Sequence, residues 1–190
     1  MKLKRLGSLL FLCFLAVSVI LYIQFHKPTT TVKNKQAPVA LPTELNPIVK
    51  ERSNELIQKA AKKGIQVVIT DDFRSVKDQD QLYQQGRTAS GHIVTNAKGG
   101  DSYHNYGLAI DFALKTSSGN VIWDMDYDGN GNGKSDWNEV VTIAKGLGFK
   151  WGGDWKGFQD YPHLQMNFGL SLAELKDGER PTKSSLTAHN

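Results

Sequence analysis

A carboxylate within an otherwise apolar strand is the feature that most constrains this fold. Residues 107–114 alternate so that Ile110, Phe112 and Leu114 share one face, while Asp111 lies between two alanines on the other. A buried carboxylate without a partner is costly, so Asp111 needs a cation or a metal ion beside it. The strand therefore predicts a functional site within the sheet, in which Asp111 binds a cation or a metal ion.

Two histidines are placed to meet this carboxylate. His104 begins the pattern His-x-x-Gly-x-Ala-x-Asp that ends at Asp111, and His163 lies in a second short strand, residues 162–166, with Gln165 on its own face. Two imidazoles and one carboxylate form a three-ligand zinc site with a fourth position open, which is the arrangement of a catalytic zinc. His104, Asp111 and His163 are thus candidate metal ligands.

Two further side chains are candidates for catalysis. Asp160 precedes His163 by three residues, close enough for its carboxylate to exchange a proton with an attacking water. Arg74 follows the strand 65–70, where its guanidinium could stabilise an oxyanion. From the residues alone, each of these groups can also be an ordinary hydrogen-bonded or solvated side chain, and Arg74 can simply form an ion pair with Asp71 or Asp72.

Two separated segments resemble a known family. Residues 102–111 and 160–165 are similar to the signature segments of the zinc peptidases grouped as lysostaphin, D-alanyl-D-alanine carboxypeptidase and hedgehog-like folds. The branch they resemble most contains the peptidoglycan L-alanyl-D-glutamate endopeptidases shared with phage endolysins. The resemblance runs from about residue 41 to residue 168 and has supporting segments at residues 72–75, 81–88 and 151–155.

The resemblance implies a role for each candidate residue. It implies one zinc ion per chain bound by His104, Asp111 and His163, Asp160 as general base and then acid, and Arg74 on the substrate carbonyl, with Ser102 close behind the metal ligands. Many members of the wider family carry Glu where this chain has Asp160, so the carboxyl here lies about one methylene farther back.

The acidic segment 124–136 is a second candidate cation site. Asp124, Asp126, Asp128 and Asn130 alternate with other residues as in a calcium loop. Counted from Asp124 or from Asp126, however, the twelfth position is a serine or a tryptophan and not the bidentate glutamate. The favoured interpretation is a glycine-rich hairpin that leads into a capped helix.

The N-terminus predicts export. Basic residues precede an apolar stretch over residues 6–23, which indicates a signal peptide or a membrane anchor, and residues 28–41 have the polar composition of a flexible linker. Residues 1–41 carry six basic side chains and no acidic one, whereas residues 41–177 carry 15 Lys and Arg against 18 Asp and Glu, so the basic excess of the chain, +4 in all, comes from the N-terminal segments. A mildly acidic body does not favour binding to nucleic acid.

The remaining pattern predicts an α+β domain, with a small antiparallel sheet flanked by helices. We expect four segments: a signal peptide or anchor (residues 1–27), a linker (28–41), a zinc peptidase domain (42–177) and a polar tail (178–190). The expected function is zinc-dependent hydrolysis of peptidoglycan stem peptides, at the L-alanyl-D-glutamate bond, by a monomer exported to the cell wall or anchored at the membrane. D-alanyl-D-alanine carboxypeptidase activity and a non-catalytic wall-binding module are the alternatives.

Overall fold

The structure, a computed structural model, describes residues 39–182. Its helices are α1 (Pro47–Ala61), α2 (Val76–Gln84), α3 (Asp136–Gly146) and α4 (Leu172–Lys176), with 3-10 turns at Tyr103–Tyr106 and Gly152–Asp154. The strands are β1 (Gln66–Asp71), β2 (Ala109–Lys115), β3 (Val121–Ile122), β4 (Lys150–Trp151) and β5 (His163–Gln165). The chain is thus an α+β protein, as the sequence predicts. The predicted signal or anchor segment and most of the linker and tail lie outside the described residues.

The sheet has five strands and is antiparallel. Its order is β1-β2-β5-β4, and β3 pairs with β2 off this path. β2 is therefore flanked by strands on both sides, and it carries Asp111 at the middle of the sheet. Among residues 39–182, no helix is both long enough and apolar enough to cross a bilayer.

The core lies between one face of the sheet and helices α1 and α3. Ile110, Phe112 and Leu114 of β2 are buried in it, and the ring of Phe112 lies 4.4 Å from that of Trp137 on α3. The alternation predicted for β2 is confirmed, since its other face is left for Asp111. The helices thus cover the sheet on the side opposite the candidate site.

The first strand differs from the prediction. The apolar run at residues 65–70 predicts a fully buried strand, but β1 is the edge of the sheet and Val67, Val68 and Ile69 are only half-buried. An apolar run of this length fits a central or an edge strand equally well, so the sequence alone does not fix its position. β1 therefore ends at the edge of the sheet, beside Asp111 of β2.

The helix boundaries follow the caps that the sequence contains. Ser75 accepts a hydrogen bond from the amide of Asp78 at the start of α2, and Ser135 accepts one from Asn138 at the start of α3. Ser171 forms a capping box with Glu174 at the start of α4. Each cap satisfies an amide that the helix itself cannot pair, which is why these starts were predictable.

Candidate active site

The predicted ligand trio comes together in the structure. His104 lies on the first 3-10 turn, Asp111 on β2 and His163 on β5, directly opposite Asp111 in the β2–β5 register. Asp111 Oδ1 lies 3.3 Å from His104 Nε2 and 3.3 Å from His163 Nδ1, and the two nitrogens are 3.2 Å apart. Both histidines are buried.

This triangle has the dimensions of a zinc site. Zinc bonds of about 2.0–2.1 Å in tetrahedral geometry place neighbouring ligand atoms about 3.3 Å apart. Asp111 Oδ1 is also buried and accepts no hydrogen bond from the described residues, although two ring nitrogens face it. A metal ion among the three atoms satisfies this oxygen and both nitrogens, so the residues fit the metal that the resemblance implies.

The outer nitrogens of the two imidazoles fix which nitrogen faces the metal position. His104 Nδ1 lies 2.6 Å from the carbonyl oxygen of Asp72, and His163 Nε2 lies 3.0 Å from Gln165 Oε1. Both partners are acceptors, so each outer nitrogen carries the proton and donates it. The inner nitrogens therefore present lone pairs toward Asp111, as metal ligands must.

The electrostatics of the trio favour an ionised Asp111. Burial alone would raise the pKa of Asp111, but the imidazoles of His104 and His163 beside the carboxylate outweigh burial and hold that pKa well below its usual value. Burial likewise disfavours the charged form of His104, and the Asp111 carboxylate outweighs burial and raises the pKa of His104. The centre thus keeps the anionic ligand that a divalent cation needs.

Asp160 lines the same cavity as the trio. Burial, with the nearby charge of Asp111, raises the pKa of Asp160, which makes this carboxyl a better proton acceptor than an exposed aspartate. Its backbone is held by Gly152, whose carbonyl accepts the Asp160 amide at 3.2 Å. A Cβ at Gly152 would lie 2.3 Å from the backbone carbonyl oxygen of Asp160 and 3.1 Å from His163 Cβ. Only glycine therefore permits the two backbone segments to lie this close together.

Arg74 reaches the site and also forms the ion pair that was its alternative interpretation. Its guanidinium contacts Asp71, donates to Gln79 Oε1 at 2.7 Å, and lies 3.7 Å from Asp111 Oδ2. The ion pair with Asp71 fixes the guanidinium at the mouth of the metal centre. Pairing and a role at the site are therefore compatible for this residue.

Ser102 supports the metal centre through the backbone. Its hydroxyl oxygen accepts the amide of His104 at 3.4 Å, at the start of the first 3-10 turn, and the residue lines the cavity. The calcium-loop candidates Asp124, Asp126, Asp128 and Asn130 lie instead between β3 and α3, and none of them lines this cavity. That segment leads into the capped helix α3, as predicted.

Three positioning residues were not found from the sequence. Gln165 orients His163, while Asn105 donates to the carbonyl of Arg74 at 2.8 Å and Gln79 donates to the carbonyl of Ala97 at 2.8 Å. Gln79 and Asn105 are buried amides. Gln165 could have been found, since it shares a strand face with a candidate ligand; the other two have no comparable signal.

The trio opens into a cavity of about 890 Å³. Its lining includes the charged side chains of Asp71, Arg74 and Asp160 beside the trio, together with several apolar side chains. The apolar lining includes Leu82, Val94, Trp123, Trp155, Phe158 and Leu172. The Trp155 ring lies 5.1 Å from that of His163, so an aromatic surface borders the metal position directly. Such a cleft fits an extended ligand that combines charged and apolar groups.

Known proteins are similar in sequence to this chain. A family model described as D-alanyl-D-alanine carboxypeptidase matches residues 95–166, which include all three candidate ligands and Asp160. The chain is 64% identical over 134 residues to the peptidoglycan L-alanyl-D-glutamate endopeptidase CwlK of Bacillus subtilis, covering 70% of this chain and 80% of that protein.

Two further relatives are more distant. An L-alanyl-D-glutamate peptidase of a Listeria phage is 32% identical over 119 residues, which cover 63% of this chain and 37% of that protein. The crystal structure of the L,D-carboxypeptidase DacB from Streptococcus superposes with a TM-score of 0.48 at 21% identity, covering 80% of this chain and 83% of that one. On the strength of the CwlK match, the chain belongs to the D-alanyl-D-alanine carboxypeptidase family of peptidases, in the branch of the L-alanyl-D-glutamate endopeptidases.

Proposed function

We propose that this chain hydrolyses the L-alanyl-D-glutamate bond in the stem peptides of bacterial peptidoglycan, as a zinc peptidase. The observation that carries the proposal is the 64% identity to CwlK over 134 residues, combined with a trio whose atoms have zinc-site spacing. The family match at residues 95–166 contains the trio and Asp160. We therefore expect this set of residues to act on the substrate for which CwlK is named.

Zinc is the metal that this donor set favours. Two neutral imidazoles and one carboxylate are nitrogen and oxygen donors typical of catalytic zinc, and a three-ligand set leaves a position for substrate. When bound there, zinc supplies Lewis-acid polarisation for hydrolysis of a peptide bond. The proton on each outer imidazole nitrogen is held by Asp72 or Gln165, so the ligand atoms need no rearrangement.

Asp160 moves the proton in this proposal. Its carboxylate lines the cavity beside the trio and has a raised pKa, so it accepts a proton from the attacking water and returns it to the leaving amine. Arg74 faces the same space with a guanidinium fixed by Asp71, and it stabilises the oxygen of the scissile carbonyl as negative charge develops there.

The proposed place of action is outside the cytoplasm, because peptidoglycan is there. The segment that predicts a signal peptide or membrane anchor, residues 1–27, lies outside the described residues, so export is proposed from its composition alone. The domain that acts on the wall would then follow a polar linker.

Digestion of purified muropeptides with mass-spectrometric analysis of the products tests the scissile bond. We expect the released peptides to begin with D-glutamate and to keep their C-terminal D-alanine. Release of terminal D-alanine while the L-alanyl-D-glutamate link stays intact would instead assign the D-alanyl-D-alanine carboxypeptidase activity by which the family model is described.

Metal analysis separates the enzyme from a wall-binding module. We expect about one zinc per chain, loss of hydrolysis on zinc removal by a chelator, and recovery when zinc is returned. Full hydrolysis by metal-free protein would contradict the zinc mechanism, and wall binding without any hydrolysis would favour the binding module.

A further inference from the structure

The segment that enters α3 contains a complete calcium-loop pattern in a register that starts at Asp128. From that residue, Asn130 and Asn132 occupy positions three and five, a glycine occupies position six, Asp136 position nine and Glu139 position twelve. This is the EF-hand pattern, including the glutamate that binds calcium with both oxygens. The registers that start at Asp124 and Asp126 lack that glutamate.

The backbone has the turn that such a loop requires. Gly133, the sixth residue, has φ +79°, and a Cβ there would meet open space, so glycine is present for its conformation and not for packing. Helix α3 then begins at Asp136 and places Glu139 in its first turn. An EF-hand loop continues into a helix in the same way.

A buried carboxylate oxygen of Asp136 also indicates that a cation binds in this loop. The residue is 2% exposed, and its Oδ2 accepts the amide of Gly129 at 2.9 Å. Its Oδ1 is buried and accepts no hydrogen bond from residues 39–182. The carboxylates of Asp128 and Glu139 are near enough to repel its charge. A buried, unpaired carboxylate oxygen among like charges is unfavourable unless a cation binds it.

Glu139 is held by a competing cation. Its Oε1 lies 2.9 Å from the Lys63 ammonium at the end of α1, and its Oε2 accepts the side-chain amides of Asn132 at 2.7 Å and Asn130 at 3.2 Å. Binding a metal ion through Glu139 therefore requires release of Lys63 and rotation of both asparagine amides, so that oxygen and not nitrogen faces the ion.

We propose that residues 128–139 form a calcium site, with oxygen ligands from Asp128, Asn130, Asn132, Asp136 and Glu139 and from the carbonyl of residue 134. Calcium is favoured over magnesium because a loop with this many oxygen donors suits calcium's larger, irregular coordination shell, whereas magnesium demands near-ideal octahedral geometry. The rearrangement at Lys63 and the asparagines makes the site weak, with a dissociation constant of about 10⁻⁴ M, as in extracellular calcium modules. The site is separate from the zinc trio and does not depend on the proposed hydrolysis.

Calorimetric titration of the zinc-loaded full chain with calcium chloride, and separately with magnesium chloride, tests the proposal. We expect one calcium per chain, at least tenfold weaker binding of magnesium, and a Tm that rises by about 5 °C in 10 mM calcium. Zinc content measured in the same samples should not change. A wild-type chain that shows no heat and no Tm shift in 10 mM calcium would overturn the proposal.

Two variants locate the site. Glu139→Gln removes the bidentate ligand. Asp128→Asn removes the first ligand's charge and keeps one of the two side-chain oxygens that accept the amides of residues 132 and 133. Each should weaken calcium binding at least tenfold. Glu55→Gln is the control, since Glu55 lies on α1 and pairs there with Arg52 and Lys59, and this variant should bind calcium as the wild type does. Wild-type calcium affinity in both folded loop variants would place the calcium elsewhere and refute the assignment.

Discussion

The trio of His104, Asp111 and His163 and the segment 128–139 bring candidate metal ligands together in opposite ways. The trio unites His104 and His163, which are 59 residues apart in sequence, with Asp111 across neighbouring parts of the sheet. The segment 128–139 is contiguous, and its side chains bind mainly its own backbone amides, as when Asp128 accepts the amides of residues 132 and 133. One cluster is positioned by tertiary structure and the other by local turns.

The difference separates a site whose ligand atoms already converge from one that must rearrange. Strand pairing and the outer hydrogen bonds of the imidazoles hold the trio atoms 3.2–3.3 Å apart. In the loop, Glu139 is drawn toward Lys63 instead. Preorganisation lowers the cost of binding, so we expect tight metal binding at the trio and weak binding at the loop.

Asp160→Asn should produce the largest effect, because it removes the proton carrier without touching a ligand. We expect hydrolysis of muropeptides to fall by about 10²–10⁴-fold, the usual contribution of general acid–base catalysis. Zinc content, measured by atomic emission on the same samples, should stay at the wild-type level. A variant that keeps full turnover would remove Asp160 from the mechanism, and one that loses zinc would make Asp160 part of the metal centre.

Gly152→Ala tests whether the sheet site depends on close backbone approach. The added Cβ would lie 2.3 Å from the backbone carbonyl oxygen of Asp160, so the segment that carries Asp160 and His163 must shift. We expect kcat/KM to fall about 100-fold, since a displacement of about 1 Å can cost that much. Gly146→Ala is the matched control, because a Cβ there meets nothing within 4 Å. Equal activities of the two variants would contradict the tight packing.

Gln165→Ala should loosen the trio without removing a ligand. Gln165 accepts the outer proton of His163 at 3.0 Å and so fixes the orientation of that ring. We expect zinc affinity, measured by competition with a chelator, to fall about 10–100-fold, as for other partners of metal-bound histidines. Gln159→Ala, at an exposed position, should keep wild-type affinity. Unchanged affinity in Gln165→Ala would show that strand pairing alone orients His163.

Lys63→Gln should give the smallest effect and act only on the loop. The hydrogen bond from Lys63, with those from the two asparagine amides, lowers the pKa of Glu139 from 4.5 to about 2. This ion pair therefore stabilises the fold above about pH 4.5, and the stabilisation is lost as the pH falls toward 2. Because the lysine is half exposed, we expect a loss below about 1 kcal/mol at pH 7.

Thermal unfolding at several pH values in the presence of a chelator measures this effect. The Tm difference between Lys63→Gln and the wild type should shrink between pH 4.5 and pH 2. A difference that persists at pH 2 would show that Lys63 acts through packing and not through the charge of Glu139.

Local chemistry explains how much of the fold was predictable. The caps at Ser75, Ser135 and Ser171 depend on residues close in sequence, and all three form in the structure. The alternation predicted for β2 is likewise a short-range signal, and it is confirmed. The edge position of β1 was not predictable, because strand order depends on pairing between distant segments. The register from Asp128 to Glu139 is also a local sequence pattern, and it begins four residues after the first aspartate of the run.

The residue types of the site and the family can be recognised from local sequence, since His104, Asp111, Asp160 and His163 lie in two short segments. The pairing of Arg74 with Asp71, its approach to Asp111, and the support from Gln79, Asn105 and Gln165 become visible only in the folded chain. The reason is physical. A side chain's own chemistry is encoded where it stands, but its partners are chosen by strand pairing and burial, which join segments that the sequence keeps far apart.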